Sequence, residues 1–511
     1  MSSTEPSPPS SGASRLAAFR GDLRAPIPLH PLETALLWIA ALNVCSLPWM
    51  LGGMRPWAQF ISLGLSLVAL VLALIPRHYS DTYTRGDDYT VHLWKKLIRW
   101  PLFWIGTVFF AHVLIQALNP AYEFLQLPNS WSMIAINHIE WLPTGMRTPF
   151  AMMNPWRQMM IWGTPFLLAC ALWTGFTRSK SVRSLATLIV NNTIVFAIFA
   201  LIQRATGAKE IYWSFKSSNE FFGAFIYRNQ GGAYLVLGFM LTAGLAAWHH
   251  QRSRQRHARS GPAGVIAFFA CVILIAIGVS YSRGSVIGLA GGLLWLLGVS
   301  MAGMFSRSSS RGQSVIVIVL VLMFTGFGAL GLKSYNAERT VDRFKQLLED
   351  NNATWALRQM TTEATAEMWT ERPLYGWGAG GYRFLFPKFQ QTRPEILWSD
   401  QKRKRGYLFW EYAHNDWIQI AAEVGYVGLG LIGAGLSAAL ITFFKRRGWR
   451  HPLAMISVGG CIATVGHSRA EFLFYNPAII TLWICCAMLA LLAASHENNK
   501  RKTPLIRPVQ N

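Results

Sequence analysis

Apolar runs, twelve of them and most close to the length of a bilayer crossing, take up nearly half of this 511-residue chain. They fall near residues 34–51, 57–76, 100–118, 158–176, 185–203, 231–248, 264–282, 285–305, 315–332, 413–444, 453–467 and 474–494, the eleventh being short. A helix crosses about 30 Å of hydrocarbon with about 20 residues, and it satisfies its own backbone polar groups on the way. The pattern predicts an all-α fold, a polytopic membrane bundle of about twelve transmembrane helices. Composition agrees. Charged residues make up 14% of the chain, against about 25% in a soluble domain. The six cysteines (Cys45, Cys170, Cys271, Cys461, Cys485, Cys486) all sit inside apolar runs. There they read as small buried hydrophobes, not as disulfides or zinc ligands.

A formal charge of +23 could suggest a nucleic-acid partner. Its distribution argues against one. When the loops are sorted alternately, one set, with both termini, holds 25 of the 47 Lys+Arg and 7 of the 24 Asp+Glu. These loops are short and strongly basic, which orients them to the cytoplasm, with some affinity for anionic lipid heads. Both termini then lie inside. The 119–157, 204–230 and 333–412 loops lie outside, with the turns at 282–284 and 467–475. In a bacterium this is the periplasmic face of the inner membrane. The expected organisation is a disordered cytoplasmic tail at 1–33 with no cleavable signal peptide, helices one to nine at 34–332, a periplasmic loop subdomain at 333–412, helices ten to twelve at 413–494, and a cytoplasmic tail at 495–511.

Polytopic proteins usually keep their connections short, so the 333–412 excursion stands out. The chain leaves it through Tyr412-Ala413-His414-Asn415-Asp416-Trp417. At this junction His414 can take a proton from a hydroxyl near pH 7. Asn415 or Asp416 can cap the helix that follows. If that helix extends back one turn, Glu411 can orient the imidazole. The other reading of His414 is an interfacial residue packed beside Trp410 and Trp417. Three outward arginines could form a metal-free diphosphate clamp: Arg283 in a very short turn, Arg228 ahead of segment six and Arg204 ending segment five. Snorkelling to the headgroups is the alternative for Arg283. The last outward turn groups His467, Arg469 and Glu471 as a polar network or a substrate path.

Other features of the loop carry less. Gly376-Trp377-Gly378-Ala379-Gly380-Gly381-Tyr382 partly mimics a dinucleotide fingerprint, but no strand precedes it, and it reads as a flexible or tightly turned segment. Residues 361–369 have helical composition and are expected on the membrane surface before Pro373. Lys402-Arg403-Lys404-Arg405 reads as a solvated cluster able to meet an anionic lipid or sugar phosphate. No metal-ligand spacing and no nucleotide motif is present, so neither metal nor cofactor is expected.

Together these pieces resemble a known family. The arginine-glycine turn between two spans comes first. The outer loop follows with Glu371-Arg372-Pro373-Leu374-Tyr375-Gly376-Trp377-Gly378-Ala379-Gly380-Gly381-Tyr382. Then come Ala413-His414-Asn415-Asp416-Trp417-Ile418-Gln419, Glu423-Val424-Gly425 and Gly428. Over roughly residues 200–480 this is similar to the O-antigen ligase superfamily, which includes O-antigen ligases, polysaccharide polymerases and protein O-oligosaccharyltransferases. Val465-Gly466-His467-Ser468 with Phe472 and Pro477 is similar to a segment in some members, in which an aspartate usually stands where this chain has Glu471. The resemblance implies an inverting, metal-independent glycosyltransferase whose donor is an undecaprenyl-diphosphate-linked glycan. His414 would be its base, and Arg228 and Arg283 would hold the leaving diphosphate. The implied acceptor is lipid A-core for a ligase or a second lipid-linked glycan for a polymerase. A polysaccharide or lipid transporter is the rival of another class, and it would need internal repeats and polar groups at mid-membrane.

Overall fold

Six of the long helices open on a proline, where the missing N–H costs nothing and φ is already helical. In the computed structural model, which describes residues 28–80, 89–217, 220–255, 261–305, 353–399 and 406–502, these prolines set the starts of several spans. The helices are α1 (Pro31–Ser46), α2 (Pro56–Leu74), α3 (Pro101–Leu118), α4 (Pro155–Gly175), α5 (Ser179–Ala205), α6 (Arg228–Gln255), α7 (Ala263–Val279) and α8 (Arg283–Phe305), then α9 (Ala353–Glu371), α10 (Asp416–Lys445), α11 (Pro452–His467) and α12 (Pro477–Lys502).

Apart from α9, each coincides with one of the expected apolar runs. The run at 315–332 lies outside the described residues, as do the first 27 residues and the 402–405 cluster. Eight of the helices are long and apolar enough to cross a membrane, and α7 and α11 are shorter apolar helices. α4 carries Arg157, Gln158 and Thr164, all buried. The first helix starts within the expected tail, at Pro31. Its Glu33 forms a buried ion pair with Arg77 and accepts bonds from Thr177 and Ser181. α6 is central, packed by α5, α7, α8, α11 and α12.

The fold is mostly helical, yet not wholly α. Residues 119–157 build a three-stranded sheet in which Pro120–Gln126 pairs antiparallel with Trp131–Ala135 and parallel with Gly145–Arg147. Two smaller two-stranded sheets occur at 77–91 and 398–407. The larger sheet and the 353–415 segment share one apolar core around Met146, Trp377, Tyr382, Phe386 and Ala413. α9 ends before Pro373, as expected. It is packed against α10 and buries Thr361, Ala364, Thr365 and Met368.

The glycine segment is tightly turned. Gly376, Gly378 and Gly380 all have positive φ, and a Cβ at Gly378 would stand 2.4 Å from the Cα of Gly145. It docks on α10, whose own path breaks at Gly425 (φ 62°, ψ −169°). Trp377 N and Gly378 N donate to the carbonyls of Ala422 and Glu423 (both 2.9 Å), and Tyr426 N and Val427 N donate to those of Pro373 and Leu374. The buried Glu423 carboxylate then accepts from Gly380 N (2.9 Å), Tyr382 N (3.3 Å), Tyr475 Oη (2.8 Å) and Gln419 Nε2 (3.3 Å). Gln116 of α3 completes the seam, donating to Tyr375 O and accepting from Ala379 N.

A buried donor left without its acceptor costs about 1–3 kcal/mol. Glu423→Leu orphans several at once. We expect that variant to lose several degrees of melting temperature in detergent and to expose residues 372–382 to limited proteolysis. A melting curve and cleavage pattern like the wild type would remove this seam as the anchor of the loop.

Candidate active site

The 468–476 turn between α11 and α12 is the frame on which the junction around His414 is built. Asp416 heads α10 but does not cap it. Its Oδ2 accepts from Leu473 N (2.8 Å) and Phe474 N (2.9 Å), while its own N–H donates to Ser468 O (2.9 Å). Asn415 occupies the N-cap position without a side-chain cap bond. The expected capping is therefore replaced by a tie between two distant parts of the chain. Tyr412 stacks face to face on Phe472 at 4.1 Å, and His414 packs edge-on to the same ring at 5.2 Å.

His414 takes a left-handed backbone conformation, φ +52°. Such values are uncommon outside glycine and cluster at functional sites. The helix begins only at Asp416, so Glu411 is not carried back over the imidazole. Glu411 lies near Arg383 instead, 3.9 Å away. The carboxylate that does meet the ring is that of Glu471, 2.8 Å from Nδ1. An ionised carboxylate only accepts, so Nδ1 carries the proton and Nε2 keeps a lone pair. The imidazole remains a quarter exposed while the Glu471 side chain is 3% exposed.

Two further groups hold Glu471, and neither stood out in the sequence. Asn229 donates to Oε2 at 2.5 Å, and Arg358 of α9 reaches the same oxygen at 3.4 Å while donating to Ala470 O at 2.7 Å. Burial acts to raise the carboxyl's pKa, but His414, Arg358 and Asn229 outweigh it and hold it at about 2. Arg358 lies in a helix read as surface-bound, and Asn229 is a neutral residue beside a candidate arginine. Only the fold brings both to a carboxylate more than 100 residues away.

The arginines gather on the same side. Arg228 begins α6 and Arg283 begins α8. The two starts touch: Ser285 Oγ donates to Asn229 O, and a Cβ on Gly232 would collide with Ser285. Gly284 lies so close to His467 that a Cβ there would stand 2.0 Å from Nε2. His467 is thus a packing partner of the Arg283 turn. Arg228 is ion-paired with Glu220, whereas the Arg283 side chain makes no hydrogen bond or ion pair with a described residue. Arg204 lies over the ring of Tyr281, 5.0 Å from its centroid, which places it beside that turn. Arg469 is exposed. Two arginine-headed helix N-termini side by side concentrate positive potential and backbone N–H donors.

An apolar cleft of about 320 Å³ runs between α3, α4, α10 and α12, from Trp100 at one end to Asp416 and Trp417 at the other. Apart from Asp416 its lining is apolar or glycine.

Comparison with known proteins agrees with the resemblance seen in the sequence. A family model described as O-antigen ligase matches residues 267–433. That stretch contains Arg283 and His414, while Arg228, Asn229 and Glu471 lie outside it. Among curated proteins none matches the chain. The family match supports a membrane glycosyltransferase of the ligase or polymerase kind.

Because the Glu471 pKa is lowered on folding, its stabilising contribution is present above the ordinary carboxyl value of 4.5 and is lost as pH falls towards about 2. The gap in melting temperature between wild type and Glu471→Gln should close as pH falls below about 4.5. A gap that persists unchanged down to about pH 2 would mean the carboxylate is not held as described.

Proposed function

We propose that this chain, which belongs to the O-antigen ligase superfamily, is an inverting, metal-independent glycosyltransferase of the ligase type. It would move a glycan from undecaprenyl diphosphate to an acceptor hydroxyl on lipid A-core at the periplasmic face. The observation that carries this reading is the His414–Glu471 pair beside the Arg228 and Arg283 helix starts. The donor bond is already activated, so two tasks remain: to deprotonate an alcohol and to stabilise a departing diphosphate.

His414 does the first. Nε2 takes the hydroxyl proton as the acceptor oxygen bonds to the anomeric carbon. Glu471 fixes the tautomer and stabilises the imidazolium that forms. The bond from that carbon to the diphosphate oxygen breaks on the opposite face, and its electron pair leaves on the diphosphate. Arg283 and Arg228 meet that charge, with Arg204 supporting from the Tyr281 side and Asn415, Asp416, His467 and Arg469 framing the site. The imidazolium then releases its proton. Binding by Arg228 requires the phosphate to displace Glu220. The apolar cleft would take the prenyl tail, leaving the diphosphate at the helix starts.

The polymerase reading differs only in the acceptor, a second lipid-linked glycan. Purified protein given lipid-diphosphate glycan with each acceptor separates the two by where product forms. Product on neither would favour a carrier.

His414→Ala should lower transfer by about a hundredfold or more while protein level and membrane insertion persist. Normal transfer by that variant removes the base assignment. Arg283→Lys should be strongly impaired, because an ammonium cannot reproduce the guanidinium fork; full activity would point to snorkelling. Transfer should survive EDTA, and its loss on chelation, restored by a divalent cation, would overturn the metal-independent reading.

A further inference from the structure

A cavity of about 230 Å³ lies beyond the Tyr412–Phe472 stack, lined by Arg55, Arg157 and Arg383 with Tyr412 and Glu411. Its three arginines come from three places: the residue before α2, the first turn of α4, and the 376–399 segment. Arg157 is 8% exposed. Its guanidinium is held by neutral acceptors, Gln59 Oε1 (3.0 Å), Ala151 O (2.6 Å) and Met54 O (3.1 Å). Among the described residues no carboxylate pairs with it. A nearly buried cation without a counter-charge is costly, and such an arrangement favours an arriving anion. Arg383 lies over the Tyr412 ring at 5.1 Å. Against three guanidinium groups the cavity has one carboxylate, Glu411, half exposed and 3.9 Å from Arg383.

We propose that this cavity binds a phosphate monoester on the acceptor glycan. Three arginines less one glutamate leave a charge of two, which matches the roughly −1.5 to −2 of a phosphate monoester at pH 7. The fork of arginine suits its oxygens. The space exceeds that of one water, about 30 Å³, several times over, and admits the phosphate with part of its sugar. Position favours the acceptor over the donor. In an inverting displacement the attacking and leaving groups stand on opposite faces of the reacting carbon. Arg228 and Arg283 head α6 and α8 on the Asn229–Glu471 flank of His414. The cavity is walled by α2, α4, the loop, Tyr475 and the Ile226–Tyr227 pair that leads into α6, and the Tyr412–Phe472 stack stands between it and the imidazole. The inference rests on the glycosyl-transfer reading above.

The test uses full-length protein in lipid nanodiscs, with a phosphorylated acceptor glycolipid and the same acceptor after phosphatase treatment. Arg157 also ties three backbone segments, so Arg383→Gln and Arg55→Gln are the deciding variants. Each should raise KM for the phosphorylated acceptor about tenfold or more, with kcat and donor KM unchanged. Removing the phosphate should impose at least that penalty on the wild type and a smaller one on either variant. Unchanged acceptor KM, or a rise in donor KM instead, overturns the assignment. Should the wild type transfer to no acceptor, the glycosyl-transfer reading fails, and the cavity is judged by equilibrium binding of inorganic phosphate alone. Binding lost in Arg383→Gln supports the site; binding that is absent or equal in both proteins ends it.

Discussion

One buried carboxylate, Glu423, is where the long loop and the bundle become a single object. A helix crossing lipid normally satisfies its own backbone, and a loop normally runs over the surface in water. Here α10 breaks at Gly425, which frees carbonyls and amides in its first turns, and the glycine segment supplies their partners. Glu423 reaches out of the break and collects two loop amides and the Tyr475 hydroxyl. Three positive-φ glycines are needed because the loop backbone must press against α10, Gly145 and Asn154 with no room for a side chain. The sheet of 120–147 and α9 then pack on that docked segment.

From that anchor the site follows. Tyr475, held by Glu423, ends the turn in which Glu471 and Phe472 lie, and Asp416 fastens the same turn to the start of α10. His414 is caught between these two ties, which accounts for its left-handed backbone: the chain must pass from the loop to the helix while the ring meets Glu471. The strain is offset by contacts made elsewhere, an arrangement common at catalytic positions. Arginines cluster near this imidazole in two groups, at the starts of α6 and α8 and around the cavity behind the Tyr412–Phe472 stack.

Helices were easy to read from the chain because hydrocarbon length and apolar composition are local properties. The arginine turn and the histidine junction were legible through motif spacing, and the family match covers both. The sheet in 119–157 was missed because a long polar loop between spans carries only weak alternation. Glu411 was a natural partner for His414 by sequence distance, but the late start of α10 sends it toward Arg383. Glu471 takes its place, 57 residues downstream. Arg55, Arg157 and Arg383 were unremarkable singly, since each looks like an ordinary interfacial cation until the fold puts them around one hollow.

Composition and periodicity alone thus determined the membrane class, the positions of the described apolar helices and the residue types able to move a proton or pair with an anion. Those depend on hydrophobic length and on intrinsic side-chain chemistry, which travel with the chain. Which carboxylate orients the histidine, which arginines share a cavity and how the loop is moored were decided only by tertiary structure. Each is a meeting of groups tens to hundreds of residues apart, set by helix packing and by the need to pair every buried polar atom, and a linear pattern does not encode those contacts one by one.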